Sequence, residues 1–305
     1  MELGGRRRST NFEDRGRGGG RTGGGLPVHA LSSLTRLLGL KATLAIGAAV
    51  VVGFFLLPAA LKQRLLLAVS GGDQGAGPAA TAGKVCDASR TNAEACDFSR
   101  AVLASTEDVW KAQFQRDALP RYGKAAGAYQ EPTLVVFADG VATGGCGSAS
   151  SAVGPFYCPR DKKLYIDPSF YGVMETRLKA PGDFAQAYVI AHEVGHHVQN
   201  LIGSTSMRKN GESENQTSVR VELQADCLAG VWGHTARASL SITDEDLKEA
   251  VNAAHAIGDD ALGQSDQDDY THGTSAQRIR WFRRGFDAGD ARQCDTFAVA
   301  SYGEL

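Results

Sequence analysis

The chain has 305 residues, 43% of them hydrophobic, enough to bury one sizeable core with appendages beside it. Its net charge of −2 conceals an asymmetry: residues 1–41 carry eight Lys/Arg against three Asp/Glu, which leaves 24 against 31 in the rest. The body is acidic and presents no basic face of the kind that contacts phosphates, which excludes a nucleic-acid partner from the expected functions.

The chain opens on "GRRRSTNFEDRGRGGGRTGGG", Gly/Arg-rich and almost free of large apolar residues, so residues 1–41 are expected to be a disordered basic tail. Ala42–Leu61, "ATLAIGAAVVVGFFLLPAAL", holds no charge and is bounded by Lys41 before and by Lys62 and Arg64 after. Its length matches a bilayer core at helical rise, so one transmembrane helix is expected over 42–61. It begins too late and runs too long for a cleaved signal. Cations crowd the flank before it, and the positive-inside rule places the tail in the cytoplasm and everything after residue 65 outside. Residues 62–85, with "SGGDQGAGPAATAGK", read as a flexible linker, and 86–305 as the folded domain.

All six cysteines, Cys86, Cys96, Cys146, Cys158, Cys227 and Cys294, fall on the outer side of that arrangement, and an even number there reads as disulfides. Proximity pairs Cys86 with Cys96 and Cys146 with Cys158, leaving Cys227 for Cys294. A zinc ribbon is disfavoured, because no CxxC occurs.

Within the domain, "STEDVWKAQFQRDALPRYG" reads as a helix opened by a Ser/Thr cap. "PTLVVFAD" and "KKLYIDP" read as strands, with a third near Phe156 in the Gly/Ser-rich segment between them. From Asp183 the pattern turns helical. Phe184, Ala187, Ala191, Val194, Val198 and Leu201 form one apolar stripe up to Ile202, and Gly203 supplies a stop. "VRVELQADCLAGVWGHTARASL", "TDEDLKEAVNAAHAIGDD" and "TSAQRIRWFRRGFDAG" are three further helices. A small sheet followed by mostly helices makes the fold class α+β.

The chemistry concentrates in "AHEVGHHVQN". His192, Glu193 and His196 spell HExxH on the striped helix, where residues four apart share one face and both imidazoles can address a single ion. Glu193 lies on the adjacent flank, where a carboxylate serves as general base to a metal-activated water. His197 sits about 120° from the midpoint of the two histidines at 100° per residue, so it reads as structural or supporting. The metzincin extension would require glycine at 199 and histidine at 202, where this chain has Gln199 and Ile202. Downstream, Glu222 and Asp226 form ExxxD on an apolar helix, where the first carboxylate can ligate zinc and the second can hold a ligating histidine by its free ring N–H. His234 and His255 stand as rival third ligands. In "THGTSAQRIRWF", His272 and Arg278 are candidate donors to a developing oxyanion.

These residues together resemble the neutral zinc metallopeptidases, bacterial proteins with a short cytoplasmic tail, one transmembrane helix and an extracytoplasmic domain. The likeness runs through "GRRRSTNFEDR", "GPFYCP", "GDFAQAYVIAHEVGHHVQNLIG", "SVRVELQADCLAGVWGH", "AHAIGDD", "THGTSAQRIRWFRRGFDAGD" and "QCDTF". HExxH followed by ExxxD is also similar to the gluzincin clan. That resemblance implies a zincin-like domain holding one Zn2+ on His192, His196 and Glu222, with Glu193 as base and Asp226 behind a histidine. "THGTSAQR" is similar to the His/Arg segment of the CAAX-processing and heat-stress zinc endopeptidases. The likeness implies that His272 and Arg278 contact the scissile carbonyl, although those enzymes carry proline where this chain has Gly273. The expected activity is hydrolysis of a peptide or protein substrate at the bacterial inner membrane, in a single-pass protein with its domain in the periplasm. The rival is a catalytically silent envelope scaffold stabilised by zinc and disulfides.

Overall fold

Leu134 to Phe137 is an unbroken apolar run, and such a run is stable as a strand only when both of its faces are covered. The computed structural model, which describes residues 1–18, 83–123 and 127–305, makes it the second strand of a four-stranded sheet. The strands are β1 (Phe12–Arg17), β2 (Thr133–Ala138), β5 (Phe156–Cys158) and β6 (Lys163–Ile166), in the order β1-β2-β6-β5. β1 and β6 both run parallel to β2, and β5 returns antiparallel along β6. Alternation splits β2 between two cores: Leu134 and Val136 face the helices, whereas Val135 and Phe137 join Tyr165 and Cys158 in a small cluster on the other face. A separate hairpin pairs β3 (Gly140–Ala142) with β4 (Ser148–Ser150).

Among the described residues six α-helices cover the sheet or pack beyond it: α1 (Arg90–Gln115), α2 (Ser169–Thr176), α3 (Asp183–Ile202), α4 (Glu214–Ala236), α5 (Asp244–Ala256) and α6 (Ser275–Ala288). The starts of α4, α5 and α6 are fixed by capping boxes, Ser213 with Gln216, Thr243 with Asp246 and Thr274 with Gln277. α3 ends where its stripe does, at Gly203 in the left-handed conformation (φ 83°). The fold is thus α+β, as the pattern of elements predicts.

Three expectations need correction or fall elsewhere. The first helix starts at Arg90, not at the Ser105-Thr106 cap: Thr106 is buried mid-helix with its hydroxyl on the Leu103 carbonyl, while Ala101–Ala104 and Trp110 pack into the core and carry the helix through. The first eighteen residues of the supposed disordered tail are ordered on the domain, since main-chain pairing with β2 compensates for their lack of large apolar side chains. The expected transmembrane helix at 42–61, the rest of the tail and nearly all of the linker lie outside the described residues. Among the described residues no helix is long and apolar enough to cross a membrane.

The structure joins Cys86 to Cys96, Cys146 to Cys158 and Cys227 to Cys294. The third bond ties α4 to the segment after α6 across a sequence separation of 67. Loop-closure entropy for a span of that length is worth about 4 kcal/mol. Replacing both Cys227 and Cys294 by alanine should therefore lower the free energy of unfolding in denaturant by about 2–5 kcal/mol, while the shorter Cys86–Cys96 pair should cost less.

Candidate metal centre

α3 and α4 pack directly against each other, and their closest approach is at Gly195, between the two histidines of HExxH. A Cβ on Gly195 would lie 2.9 Å from the Ala225 carbonyl oxygen and 3.1 Å from its Cα. Any larger residue would push the helices apart. The contact brings Glu222, one turn before Asp226 on α4, across to both imidazoles. Glu222 Oε2 lies 3.1 Å from His192 Nε2, and Oε1 lies 3.4 Å from His196 Nε2.

The other ring nitrogens are committed behind this face. His192 Nδ1 is 2.8 Å from Asp226 Oδ1, the same oxygen that accepts from the Tyr188 hydroxyl (2.5 Å) and from Arg278 Nη2 (2.9 Å). A carboxylate that already accepts from two donors can only accept from the imidazole, so Nδ1 carries the proton and Nε2 offers its lone pair. His196 reaches the same state by another route. Its Nδ1 lies 2.8 Å from Gln199 Oε1, and the Gln199 amide nitrogen donates to the Val221 carbonyl (2.7 Å) and to Gln224 Oε1 (3.0 Å). Gln224 in turn donates to the Cys294 carbonyl and the Tyr122 hydroxyl, so both amides are oriented by acceptors they cannot exchange. Gln199 and Gln224 are both fully buried. HExxH reasoning passed over them, although a glutamine three residues after the second histidine is the one signal that was available.

Two lone pairs and a carboxylate now converge, with one ligand atom from each residue within 4.8 Å of the others. Such a cluster needs a cation. Tetrahedral zinc ligands at 2.0–2.1 Å lie about 3.3 Å from one another, which the 3.1 and 3.4 Å separations match. The donor set, two imidazoles and one carboxylate, is that of a catalytic zinc with an open position. Without the ion, burial favours a neutral His192, but Asp226 and Glu222 outweigh it and raise its pKa to about 10. Burial also pushes Glu222 up, yet His196 and His192 hold its carboxylate well below the ordinary range.

The remaining sequence candidates separate. Glu193 is buried beside the cluster and lines a cleft of about 780 Å³, where burial raises its pKa above that of an ordinary glutamate. His272 lines the same cleft, half exposed, with Nδ1 on Asp259 Oδ1 at 3.1 Å. Asp259 Oδ2 also accepts the main-chain N–H groups of Thr271, His272 and Gly273 at 2.7–2.9 Å, so this unforeseen aspartate shapes the whole turn. Gly273 adopts φ +89°, which proline cannot reach, so the turn differs from that of the proline-bearing enzymes it resembles. Arg278 touches the cleft but is buried, with Nη2 on Asp226 Oδ1 behind His192 at 2.9 Å and Nη1 3.9 Å from Glu222 Oε2. His234 bonds the Phe286 carbonyl through Nδ1, and neither it nor His255 joins the cluster. His197 points away, between Tyr157 and Tyr129. Its Nε2–H donates to the Gln130 carbonyl, and Nδ1 accepts from the Tyr157 hydroxyl at 3.0 Å.

With this geometry in hand, a family profile described as "Putative neutral zinc metallopeptidase" matches residues 1–297. The chain belongs to this family. Uncharacterized protein YpfJ of Escherichia coli strain K12 is 51% identical over 215 residues, covering 67% of this chain and 72% of that protein. Uncharacterized protein Mb2605 of Mycobacterium bovis is 40% identical over 235 residues, covering 70% of this chain and 76% of its own. No solved structure matches significantly. Membership of the neutral zinc metallopeptidase family implies zinc, and among the described residues His192, His196 and Glu222 form the group with histidine donors able to hold it.

Two outcomes follow from the supporting residues. Gln199→Leu should leave the fold intact and weaken zinc binding about 10- to 100-fold, measured by competition with a chelator; unchanged affinity would remove Gln199 from the site. Burial lowers the His197 pKa to about 4. Between about 6.5 and that value the unfolded chain takes up a proton that the folded site refuses, so stability falls on acidification through this window. At about 1.4 kcal/mol per pH unit the window is worth about 3 kcal/mol, and His197→Gln should flatten that part of the acid-unfolding profile.

Proposed function

We propose that the protein is a zinc-dependent peptidase that hydrolyses peptide bonds in the cleft lined by Glu193 and His272. The observation that carries the reading is the convergence of His192, His196 and Glu222 on one point beside a buried carboxylate at an open cleft. A purely structural zinc site closes with four protein ligands and has no use for a base.

Zinc held by these residues supplies Lewis acidity and lowers the pKa of a water toward neutrality. Everything else falls to the chain itself. Glu193, its pKa raised by burial, accepts the proton of the attacking water at its carboxylate. The water oxygen bonds to the substrate's carbonyl carbon, the C–N bond then breaks, and the same carboxyl passes its proton to the leaving amine. His272, anchored through Nδ1 by Asp259, keeps its other ring nitrogen for the cleft and is the donor placed to meet the developing oxyanion. Asp226 and Arg278 act through His192: the arginine neutralises the aspartate, and the aspartate fixes the imidazole. Arg278 is therefore a positioning residue in this mechanism, in place of the oxyanion donor suggested by its motif.

The purified protein should cleave members of a diverse peptide library when loaded with zinc, and Glu193→Gln should retain the metal while losing about 10²–10⁴-fold in rate. If the wild type cuts nothing that the variant spares, the peptidase reading fails and the silent scaffold gains. Glu222→Ala should lower zinc stoichiometry, and full retention would exclude Glu222 as a ligand.

A further inference from the structure

The motif "RRRSTNFEDR" at the start of the chain plays no part in the proposed chemistry, yet it is built into the domain. Glu107 on α1 is 1% exposed. Its carboxylate accepts from Arg7 Nη1 (2.7 Å), Ser9 Oγ (2.5 Å) and Asn11 Nδ2 (2.9 Å), all of them from the N-terminal segment. These three donors, with the segment that carries them, are what satisfy and cover the Glu107 carboxylate in the domain. Ser9 N–H also bonds the Arg100 carbonyl, and the Leu134 N–H bonds the Asn11 carbonyl. β1 then runs along β2 in register from Phe12 with Leu134 to Asp14 with Val136, and after a one-residue register shift Arg17 pairs with Ala138. Asp14 closes the base of this arrangement: its carboxylate accepts the main-chain N–H groups of Val85 and Cys86, each at 2.9 Å. Gly18 and Val85 are thus both held in the domain, Val85 beside Asp14.

One membrane crossing between these points would place β1 and β2 on opposite faces of the bilayer, where they cannot share hydrogen bonds. We propose that Met1–Gly18 is an integral part of the domain, supplied by the same chain, and that both occupy one compartment. The three disulfides make that compartment an oxidising one. The orientation expected from the flanking cations, tail inside and domain outside, is incompatible with this pairing, which needs β1 and β2 on the same side. The inference is independent of whether the cleft is catalytic.

The test uses the full-length chain in the membranes of the cells that make it. Arg17 and Ala138 are register partners at the surface end of the pair, with the Arg17 side chain 72% exposed. Under a membrane-permeant oxidant, the double variant Arg17→Cys/Ala138→Cys should form a fourth disulfide within one chain, read by mass after non-reducing digestion. A covalent dimer would show that the strand comes from a second copy, and absence of any bond would show that the pairing does not form; each overturns the inference. A second measurement needs no cross-link. A membrane-impermeant maleimide should label Arg17→Cys and Ser265→Cys, an exposed loop position of the domain, from the same side. Labelling of one from outside and of the other only after permeabilisation overturns the shared compartment.

Discussion

The approach of α3 to α4 at Gly195 is the constraint on which the rest of the site depends. A glycine between the two histidines brings the Ala225 main chain into van der Waals contact with α3. Only at that separation does a glutamate one turn before Asp226 reach two imidazoles at 3.1 and 3.4 Å. Two rigid helices, each buried on its apolar side, hold the three groups without help from any loop. A metal site built this way gains precision because its ligands have no backbone freedom to lose when the ion arrives.

The polar groups behind the ligands are arranged so that each histidine has one choice of tautomer. Asp226 and Arg278 form a buried ion pair, which by itself is weak evidence for stability, since desolvation offsets most of its attraction. Its value here is orientation: the Tyr188 hydroxyl and Arg278 fix one carboxylate oxygen, and that oxygen fixes His192. The neutral route through Gln199 and Gln224 does the same for His196 and ends on the carbonyl of Cys294. The Cys227–Cys294 disulfide thus closes a loop around the support of a candidate ligand, and it couples the C-terminal segment to the metal centre by covalent and hydrogen-bonded paths alike.

The sheet plays a different part. Its central strand is covered on both faces and bounded by β1 and β6, while β5 lies at the edge next to α3 and the cleft. The cleft is walled by apolar side chains such as Phe170, Val173 and Val189, and the two exposed large hydrophobic residues among those described, Val153 and Leu262, both line it. Apolar surface left open at a polar reaction centre is what a peptide side chain would cover on binding.

Local pattern alone determined a good deal about this protein. The stripe from Phe184 to Leu201 set the bounds of α3, and HExxH set two convergent imidazoles and their neighbouring carboxylate, because each of these depends on spacing within one element; the next helix begins at Glu214, five residues before the Val219 expected from its apolar pattern, because the polar first turn is fixed by the Ser213 cap. The disulfide partners also followed from proximity along the chain. Tertiary structure decided what spacing cannot reach. That Glu222 rather than His234 or His255 meets the histidines depends on which face of α4 crosses α3. That Arg278 sits behind His192 depends on Asp226 being buried there. Gln224 and Asp259 matter through partners 12 to 102 residues away, and Gln199, three residues from His196, is oriented by Val221 and Gln224 on the neighbouring helix. The first eighteen residues show the limit most plainly: with few large apolar side chains they read as disordered, yet main-chain pairing to β2 and a buried glutamate over ninety residues distant give them a place in the fold.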